Sequence, residues 1–231
     1  LLLKLIIENK KLKKELENPL IATVMPTFDM GIMVLCTYTK PFAPHLSLIV
    51  WYVAIAIHII CLLWVTGRYL LKWNWDNVFA SWFIVYVGMV VASVTAPAFD
   101  ALWLGKVLFF IGFMFYILLI PVVFKRVFDY SKIAQAARPS FVIIAAPASL
   151  CLAGYLSSFS TPHFAFTIFL MALAFVMTLI GYFFMFKTST ATMGTFLPTY
   201  ASYTFPTAIS ALASLKAATF AQANFSPFWA E

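Results

Sequence analysis

Residues 44–66 read PHLSLIVWYVAIAIHIICLLWVT, and this stretch decides the fold class of the chain. It contains no Asp, Glu, Lys or Arg. It is also longer than the roughly 20 residues that an α-helix needs to cross a hydrocarbon core of about 30 Å. A membrane-spanning β-strand would alternate apolar and polar residues, which this stretch does not do. Residues 44–66 are therefore predicted to form a transmembrane helix.

The rest of the chain repeats this pattern. Further apolar runs lie at about 19–39, 77–98, 101–124, 139–159, 162–186 and 196–220. The 231 residues are 64% hydrophobic and 10% charged, whereas a soluble domain is ~45–50% apolar and ~25% charged. This balance excludes a soluble enzyme, a disordered tail and a nucleic-acid reader. We predict an all-α membrane protein with seven transmembrane helices in a single domain over residues 19–231, preceded by a charged cytoplasmic connector over residues 1–18.

The basic residues predict the topology of the spans. The net charge is +7, with 15 Lys and Arg residues. If the seven spans alternate in direction, twelve of these 15 residues lie on the side that holds residue 1. The opposite side holds Lys40, Lys106 and Lys216. Because cytoplasmic loops carry an excess of Lys and Arg, the side of residue 1 is predicted to be cytoplasmic, in a multi-pass protein of the plasma membrane.

Two ionisable residues inside the spans are candidates for function, because a charge within a bilayer is costly. Asp29 lies midway along the first span and His58 lies in the second. The two spans form an antiparallel hairpin, and a helical rise of about 1.5 Å per residue brings the two groups to similar depths. One interpretation is an Asp29–His58 pair that couples transport to protons or contacts substrate. The other is that Asp29 is a protonated acid bonded to a backbone carbonyl or to a neighbouring Thr.

The last span carries a row of hydroxyl groups. Tyr203, Thr207, Ser210 and Ser214, called here the hydroxyl stripe, recur at helical spacing and share one helix face. Such a row fits two interpretations. It can solvate an ion through neutral dipoles, or it can allow close packing against a neighbouring helix.

No arrangement of residues predicts catalysis. The chain has no phosphate-binding loop, no nucleophile–base spacing and no His-rich or carboxylate-rich set typical of a metal site. The cysteines, Cys36, Cys61 and Cys151, lie singly inside apolar runs, where cysteine behaves as a small hydrophobic residue. We therefore expect no enzyme activity, no catalytic residue, no metal ion and no cofactor.

Four stretches resemble the tellurite-resistance/dicarboxylate transporter family, which includes the slow anion channels of plants and the malate permeases of fungi. They are NPLIATVMPTF at 18–28, IPVVFKR at 120–126, AAPAS at 145–149 and YTFPTAISALA at 203–213. Their order and spacing suit the third to the ninth helices of the family. The resemblance implies ten helices in five hairpins around a central pore, with odd-numbered helices inside and even-numbered helices outside. It also implies that this chain is a piece of a longer protein.

The resemblance assigns roles to individual residues. In the family a Phe of the ninth helix plugs the pore, and Phe205 matches it. The pore-helix prolines of the family match Pro147, Pro26 and Pro97. The other candidate pore-lining or helix-kinking residues are Pro206, Thr204, Thr207 and Ser210.

Two features fit this assignment poorly. Phe205 is two residues from both Tyr203 and Thr207, so it does not share their helix face. Either a kink at Pro206 rotates the helix, or the hydroxyl stripe packs against neighbouring helices. Asp29 would repel anions if it faced a pore, unless it were protonated, paired with His58 or turned away.

The predicted function is transmembrane transport of small anions, either dicarboxylates such as malate or inorganic anions, through a pore that Phe205 closes at rest. A proton-coupled carrier, or an exporter of sulfite or toxic compounds, is the alternative within the family. A membrane receptor or scaffold without transport is the alternative from another class. The predicted partners are a small anionic substrate and the lipid bilayer, without nucleic acid, and the resemblance implies a homotrimer with one pore per subunit.

Overall fold

The computed structural model describes residues 13–129 and 133–225. The first twelve residues of the predicted connector and the last six residues of the predicted membrane domain lie outside these described residues. Within them the chain is predominantly helical and contains no β-strand. The prediction of an all-α membrane protein is confirmed.

The α-helices of the described residues are numbered in chain order. They are α1 Pro19–Val24, α2 Thr27–Thr39, α3 Pro44–Val65, α4 Trp82–Val87, α5 Val90–Thr95, α6 Leu102–Phe128, α7 Ala145–Ser158, α8 Phe164–Ala191 and α9 Thr204–Phe225. A π-helical turn, Thr66–Leu70, extends α3. Short 3₁₀ helices occupy Trp75–Asn77, Ala96–Phe99, Gln135–Ile144 and Pro198–Tyr203.

Five helical segments of the described residues are long and apolar enough to cross a membrane. They are Pro19–Thr39, Pro44–Leu70, Leu102–Arg126, Gln135–Ser158 and Phe164–Ala191. The predicted span 77–98 contains instead the two six-residue helices α4 and α5. The predicted span 196–220 is a 3₁₀ helix followed by α9. The count of seven membrane crossings stays a prediction.

Long unbroken helices alternate with broken ones along the chain. The helices α3, α6 and α8 each run for 22 residues or more. The other segments contain breaks. The helices α1 and α2 meet at Met25 and Pro26, and α4 and α5 meet at Gly88 and Met89. A 3₁₀ helix precedes each of α7 and α9. Proline explains part of this pattern, because it cannot donate the backbone hydrogen bond that continues a helix.

Burial differs among these segments, although the broken segment Pro19–Thr39 and the long segment Pro44–Leu70 are equally buried at 39%. In the apolar 18-residue core of the segment Gln135–Ser158, 89% of the residues are buried. The corresponding share is 28% in Phe164–Ala191 and 33% in Leu102–Arg126. Every residue of α4 is buried as well. The long helices instead expose large apolar side chains such as Phe110 and Phe186. The broken segments α4 and Gln135–Ser158 therefore form the interior, and α6 and α8 present apolar faces suited to lipid.

Contacts between loops agree with an alternating topology. The hydroxyl of Tyr69 donates to the carbonyl of Leu16 at 3.0 Å, and both residues belong to connectors predicted on the side of residue 1. The ammonium of Lys40, in a connector predicted on the opposite side, donates to the carbonyl of Ala98, the last residue of the predicted span 77–98. Each bond therefore links two parts of the chain that the alternation of spans assigns to the same side of the membrane.

Gly181 allows α8 to approach the start of α7 closely. A Cβ atom at this position would lie 2.6 Å from the Cβ of Ala145 and 3.3 Å from the carbonyl oxygen of Val142. Neither atom can move without displacing backbone. We expect Gly181→Ala to lower the free energy of unfolding by about 1–3 kcal/mol, as overpacking does, and to lower the midpoint of thermal unfolding in detergent.

A matched control is Gly31→Ala on α2, because a Cβ atom there would meet no heavy atom within 4 Å. Alanine favours a helix over glycine by about 1 kcal/mol, so this variant should be as stable as the parent or more so. Equal unfolding midpoints for the two variants would contradict the close packing of α7 and α8.

Candidate functional site

A cavity of about 690 Å³, called here the main cavity, opens among the broken helices. Its walls come from α1, from the first turns of α2 and α9, from α4 and from the 3₁₀ helices that precede α7 and α9. The lining residues are Glu15, Leu16, Leu20, Ile21, Val24, Met25, Thr27, Phe28, Ile84, Ser140, Ile143, Pro198, Thr199, Ala201, Ser202, Thr204, Phe205 and Pro206. The chain thus brings its helix breaks together around one space.

Phe205 lies in the wall of the main cavity. It is the second residue of α9, its side chain is half-buried, and it packs against the apolar core. Thr204 and Pro206 line the cavity beside it, and Phe28 from the first turn of α2 lines it as well. Two other residues of the same motif, Thr207 and Ser210, are not part of this lining. The motif therefore contributes some of its residues to the cavity wall and others to a different face of α9.

The wall of the main cavity is close to neutral. Among its lining residues the ionisable one is Glu15, near the start of α1. The lining hydroxyls give their protons to backbone carbonyls: Thr27 to Val24 at 2.8 Å, and Thr204 to Ala201 at 2.8 Å. The first turn of α9 adds partial positive charge, because the N-terminal end of a helix dipole is positive. The wall is therefore mostly apolar, and its charged features are Glu15 and the start of α9.

The hydroxyl stripe faces away from the main cavity. The Ser210 hydroxyl lies 3.0 Å from the hydroxyl of Ser149 on α7 and 3.2 Å from that of Thr178 on α8. Thr207 donates to the carbonyl of Tyr203 at 2.8 Å. Ser210, Ser149 and Thr178 line a second cavity of about 310 Å³ between α7, α8 and α9. Phe205 and the stripe therefore occupy different faces of α9, as their spacing requires.

The candidate prolines lie at different places in the fold. Pro26 is buried in the turn between α1 and α2, and Pro147 is buried as the third residue of α7. Pro206 is buried as the third residue of α9 and lines the main cavity. Pro97 is exposed in the 3₁₀ helix Ala96–Phe99, which is not part of the cavity wall.

Asp29 and His58 are in contact. The Nδ1 atom of His58 lies 2.6 Å from Oδ1 of Asp29, and both residues are 1% exposed. The Nε2 atom of His58 lies 3.1 Å from the carbonyl oxygen of Val85 on α4. Neither Asp29 nor His58 lines the main cavity, although the neighbouring Phe28 does. The Asp29 carboxyl group is therefore directed at α3 rather than into the main cavity, where its negative charge would repel an anion.

Gly88 is a site residue that the sequence did not predict. A Cβ atom at Gly88 would lie 2.9 Å from Cε1 of His58 and 2.7 Å from Sδ of Met30. A lone glycine inside an apolar run marks a close approach of another element, and this signal was present within the run 77–98. Ile84 was not predicted either, because hydropathy does not distinguish a residue facing a cavity from one facing its neighbours.

The comparison with known protein families decides the identity of this architecture. The family model described as voltage-dependent anion channel, SLAC1, matches residues 1–230. The chain belongs to the voltage-dependent anion channel family. The resemblance predicted from the four sequence motifs is thereby confirmed. No curated protein matches the chain.

Membership of the voltage-dependent anion channel family indicates the general function of the chain that contains the main cavity. The family moves anions across membranes, and it is a family of channels and transporters rather than of enzymes. The chain is thus a multi-pass membrane protein with an anionic substrate and a lipid surround. A receptor or scaffold without transport does not agree with this membership.

Proposed function

We propose that the chain conducts small anions across a membrane through the main cavity and that Phe205 closes the pathway at rest. One observation supports this proposal most strongly. The cavity lies between broken helices, its wall is nearly neutral, and Phe205 stands in that wall at the first turn of α9. In a chain of an anion channel family, such a space is the natural candidate for the pathway.

The wall suits an ion that must enter and leave quickly. Partial positive charge at the first turn of α9 favours anions over cations, whereas the carboxylate of Glu15 near the start of α1 opposes them. The absence of a fixed positive side chain among the lining residues means that no anion is held tightly, which conduction requires. Basic residues at the membrane surface concentrate anions near the entrance. Passage then requires the Phe205 ring to move aside.

The same wall bears on the substrate. Malate and inorganic anions are the candidate substrates. A dicarboxylate carries two charges, and each needs compensation when it leaves water. The hydroxyl protons of Thr27 and Thr204 are already donated to backbone carbonyls. The lining therefore favours singly charged anions such as chloride and nitrate over doubly charged malate.

Anion efflux from liposomes that contain the full-length protein tests this proposal. We expect efflux of chloride and nitrate above that of protein-free liposomes, slower efflux of malate, and no efflux of potassium. Sulfite belongs in the same series, because its efflux would identify an exporter of the same family. If no anion leaves faster than from protein-free liposomes, the proposed function is wrong.

A proton-coupled carrier is the second candidate, and the Asp29–His58 pair is the observation that favours it. A buried acid and imidazole that share a proton are the usual parts of a proton relay. We nevertheless expect efflux to be independent of a proton gradient, since neither residue lines the main cavity. Asp29→Asn, which removes the titratable acid, should leave anion efflux within about twofold of the parent. Malate efflux that requires a proton gradient, and loses this requirement in Asp29→Asn, would establish coupling instead.

We also propose the remaining features of the assembly. The distribution of Lys and Arg supports a plasma-membrane protein whose residue-1 side is cytoplasmic. The resemblance to the tellurite-resistance/dicarboxylate transporter family implies a homotrimer with one pore per subunit and a register in which these helices are the third to the ninth of ten.

A further inference from the structure

Three helices meet at the imidazole of His58. His58 belongs to α3, its Nδ1 atom contacts Asp29 of α2 at 2.6 Å, and its Nε2 atom contacts the carbonyl oxygen of Val85 of α4 at 3.1 Å. Asp29 and His58 are each 1% exposed. The contacts therefore lie in the protein interior, behind one wall of the main cavity.

Hydrogen-bonding valence determines how many protons this site holds. A carbonyl oxygen only accepts, so the contact with Val85 places a proton on Nε2 of His58. The 2.6 Å contact between Nδ1 and Asp29 then requires a second proton, carried by either the nitrogen or the carboxyl oxygen. The pair is neutral overall in both arrangements. A neutral pair with each polar atom bonded is the form in which such groups are tolerated inside a protein.

The imidazole lies against the break between α4 and α5. The break occurs at Gly88 and Met89, and a Cβ atom at Gly88 would lie 2.9 Å from Cε1 of His58. Val85, whose carbonyl His58 contacts, follows Ile84, which lines the main cavity. His58 thus contacts α4 beside Ile84 and lies against the break that ends α4.

We propose that Asp29 and His58 are positioning residues, which form a neutral hydrogen-bonded clamp that holds the α4–α5 break and with it the cavity wall at Ile84. The clamp holds α4 against α2 and α3 and does not itself contact the transported anion. Its importance for transport rests on the proposed function, but its existence does not.

Cysteine labelling of the full-length protein in liposomes tests the clamp. Ile84→Cys is introduced, and its rate of reaction with a water-soluble methanethiosulfonate reagent is measured. Ile84 is 7% exposed, so the rate in the parent background should be low. His58→Ala and Asp29→Ala should each raise this rate about tenfold, because an unmade buried hydrogen bond costs about 1–3 kcal/mol. The rate at Thr204→Cys, in the cavity wall contributed by α9, should stay the same.

A matched control removes another buried bond of α3. The indole nitrogen of Trp51 donates to the hydroxyl of Thr95 on α5 at 2.8 Å. Trp51→Phe deletes this bond without touching the clamp, so it should leave the labelling rate at Ile84→Cys unchanged.

A double amide variant tests whether the hydrogen bonds of the clamp can be restored with other side chains. In Asp29→Asn/His58→Gln, the amide at position 29 can donate to the amide oxygen at position 58, whose nitrogen can donate to the Val85 carbonyl. We expect this variant to restore the parent labelling rate within about twofold. If His58→Ala does not fold, the comparison of Asp29→Ala with the double variant decides.

Several results would overturn the clamp. They are an unchanged rate at Ile84→Cys in the alanine variants, an equal rise at Thr204→Cys, a rise in Trp51→Phe, or a raised rate in the double variant. None of these readouts requires anion flux. Failure of the clamp is therefore distinguishable from failure of the proposed transport function.

Discussion

Replacement of Phe205 by alanine is expected to raise anion efflux about tenfold or more. The Phe205 side chain stands in the wall of the main cavity, half-buried, at the first turn of α9. Alanine removes the ring and leaves the helix in place. A barrier lowered by about 1.4 kcal/mol speeds passage about tenfold, and exposure of a Phe side chain that packs against the apolar core costs about 1.5–3 kcal/mol when the burial is complete. Efflux of chloride and nitrate from liposomes, at equal amounts of folded protein, measures the effect.

Phe186→Ala is the matched control for this experiment. Phe186 lies on α8, is 67% exposed and faces the predicted lipid, so the same deletion there should leave efflux unchanged. If Phe205→Ala conducts at the parent rate, Phe205 does not close the pathway. If potassium efflux rises together with chloride efflux, the variant leaks without selectivity, and the interpretation of Phe205 as an anion gate is wrong.

Replacement of Asp29 by alanine should cause the largest loss of stability. It leaves His58 without its partner in a site where both residues are 1% exposed. Removal of the carboxyl group leaves a nitrogen of the buried imidazole unsatisfied, which costs about 1–3 kcal/mol, and the cavity left by the side chain adds to this loss. Thermal unfolding of the full-length protein in detergent should show a clearly lowered midpoint.

Two variants bracket this result. Asp29→Asn keeps a hydrogen-bond partner for Nδ1 of His58 and should cost no more than about 1 kcal/mol. Asp76→Ala removes a carboxylate that is 84% exposed and lies 3.4 Å from the buried Arg126; because water solvates this carboxylate and the contact is long, the loss should be about 0–1 kcal/mol. An Asp29→Ala variant that unfolds at the midpoint of Asp76→Ala would contradict the importance of the buried pair.

The long helices could be predicted from the sequence because lipid imposes a simple rule on them. A run such as 44–66 must be apolar and helical to cross a bilayer, and the structure has a helical segment at Pro44–Leu70. The run 77–98 looks the same by hydropathy but contains a break at Gly88 and Met89. Hydropathy reports that a residue leaves water. It does not report whether the backbone bonds within one helix or ends it against a neighbour.

In the candidate site too, some features could be predicted from the sequence and others could not. The depths of Asp29 and His58 could be compared from the sequence, and the structure places the two side chains in contact. The partner on α4 could not be predicted, because the Val85 carbonyl has no side-chain signature. The direction of Ser210 was equally undetermined, since one face of α9 borders the main cavity and another borders α7 and α8.

The hydroxyl groups around the main cavity donate their protons to the main chain, as Thr27 and Thr204 do. The polarity that remains in the wall therefore comes from Glu15 and from the backbone at the start of α9. Sequence drift at Thr27 or Thr204 therefore leaves this backbone polarity of the wall in place.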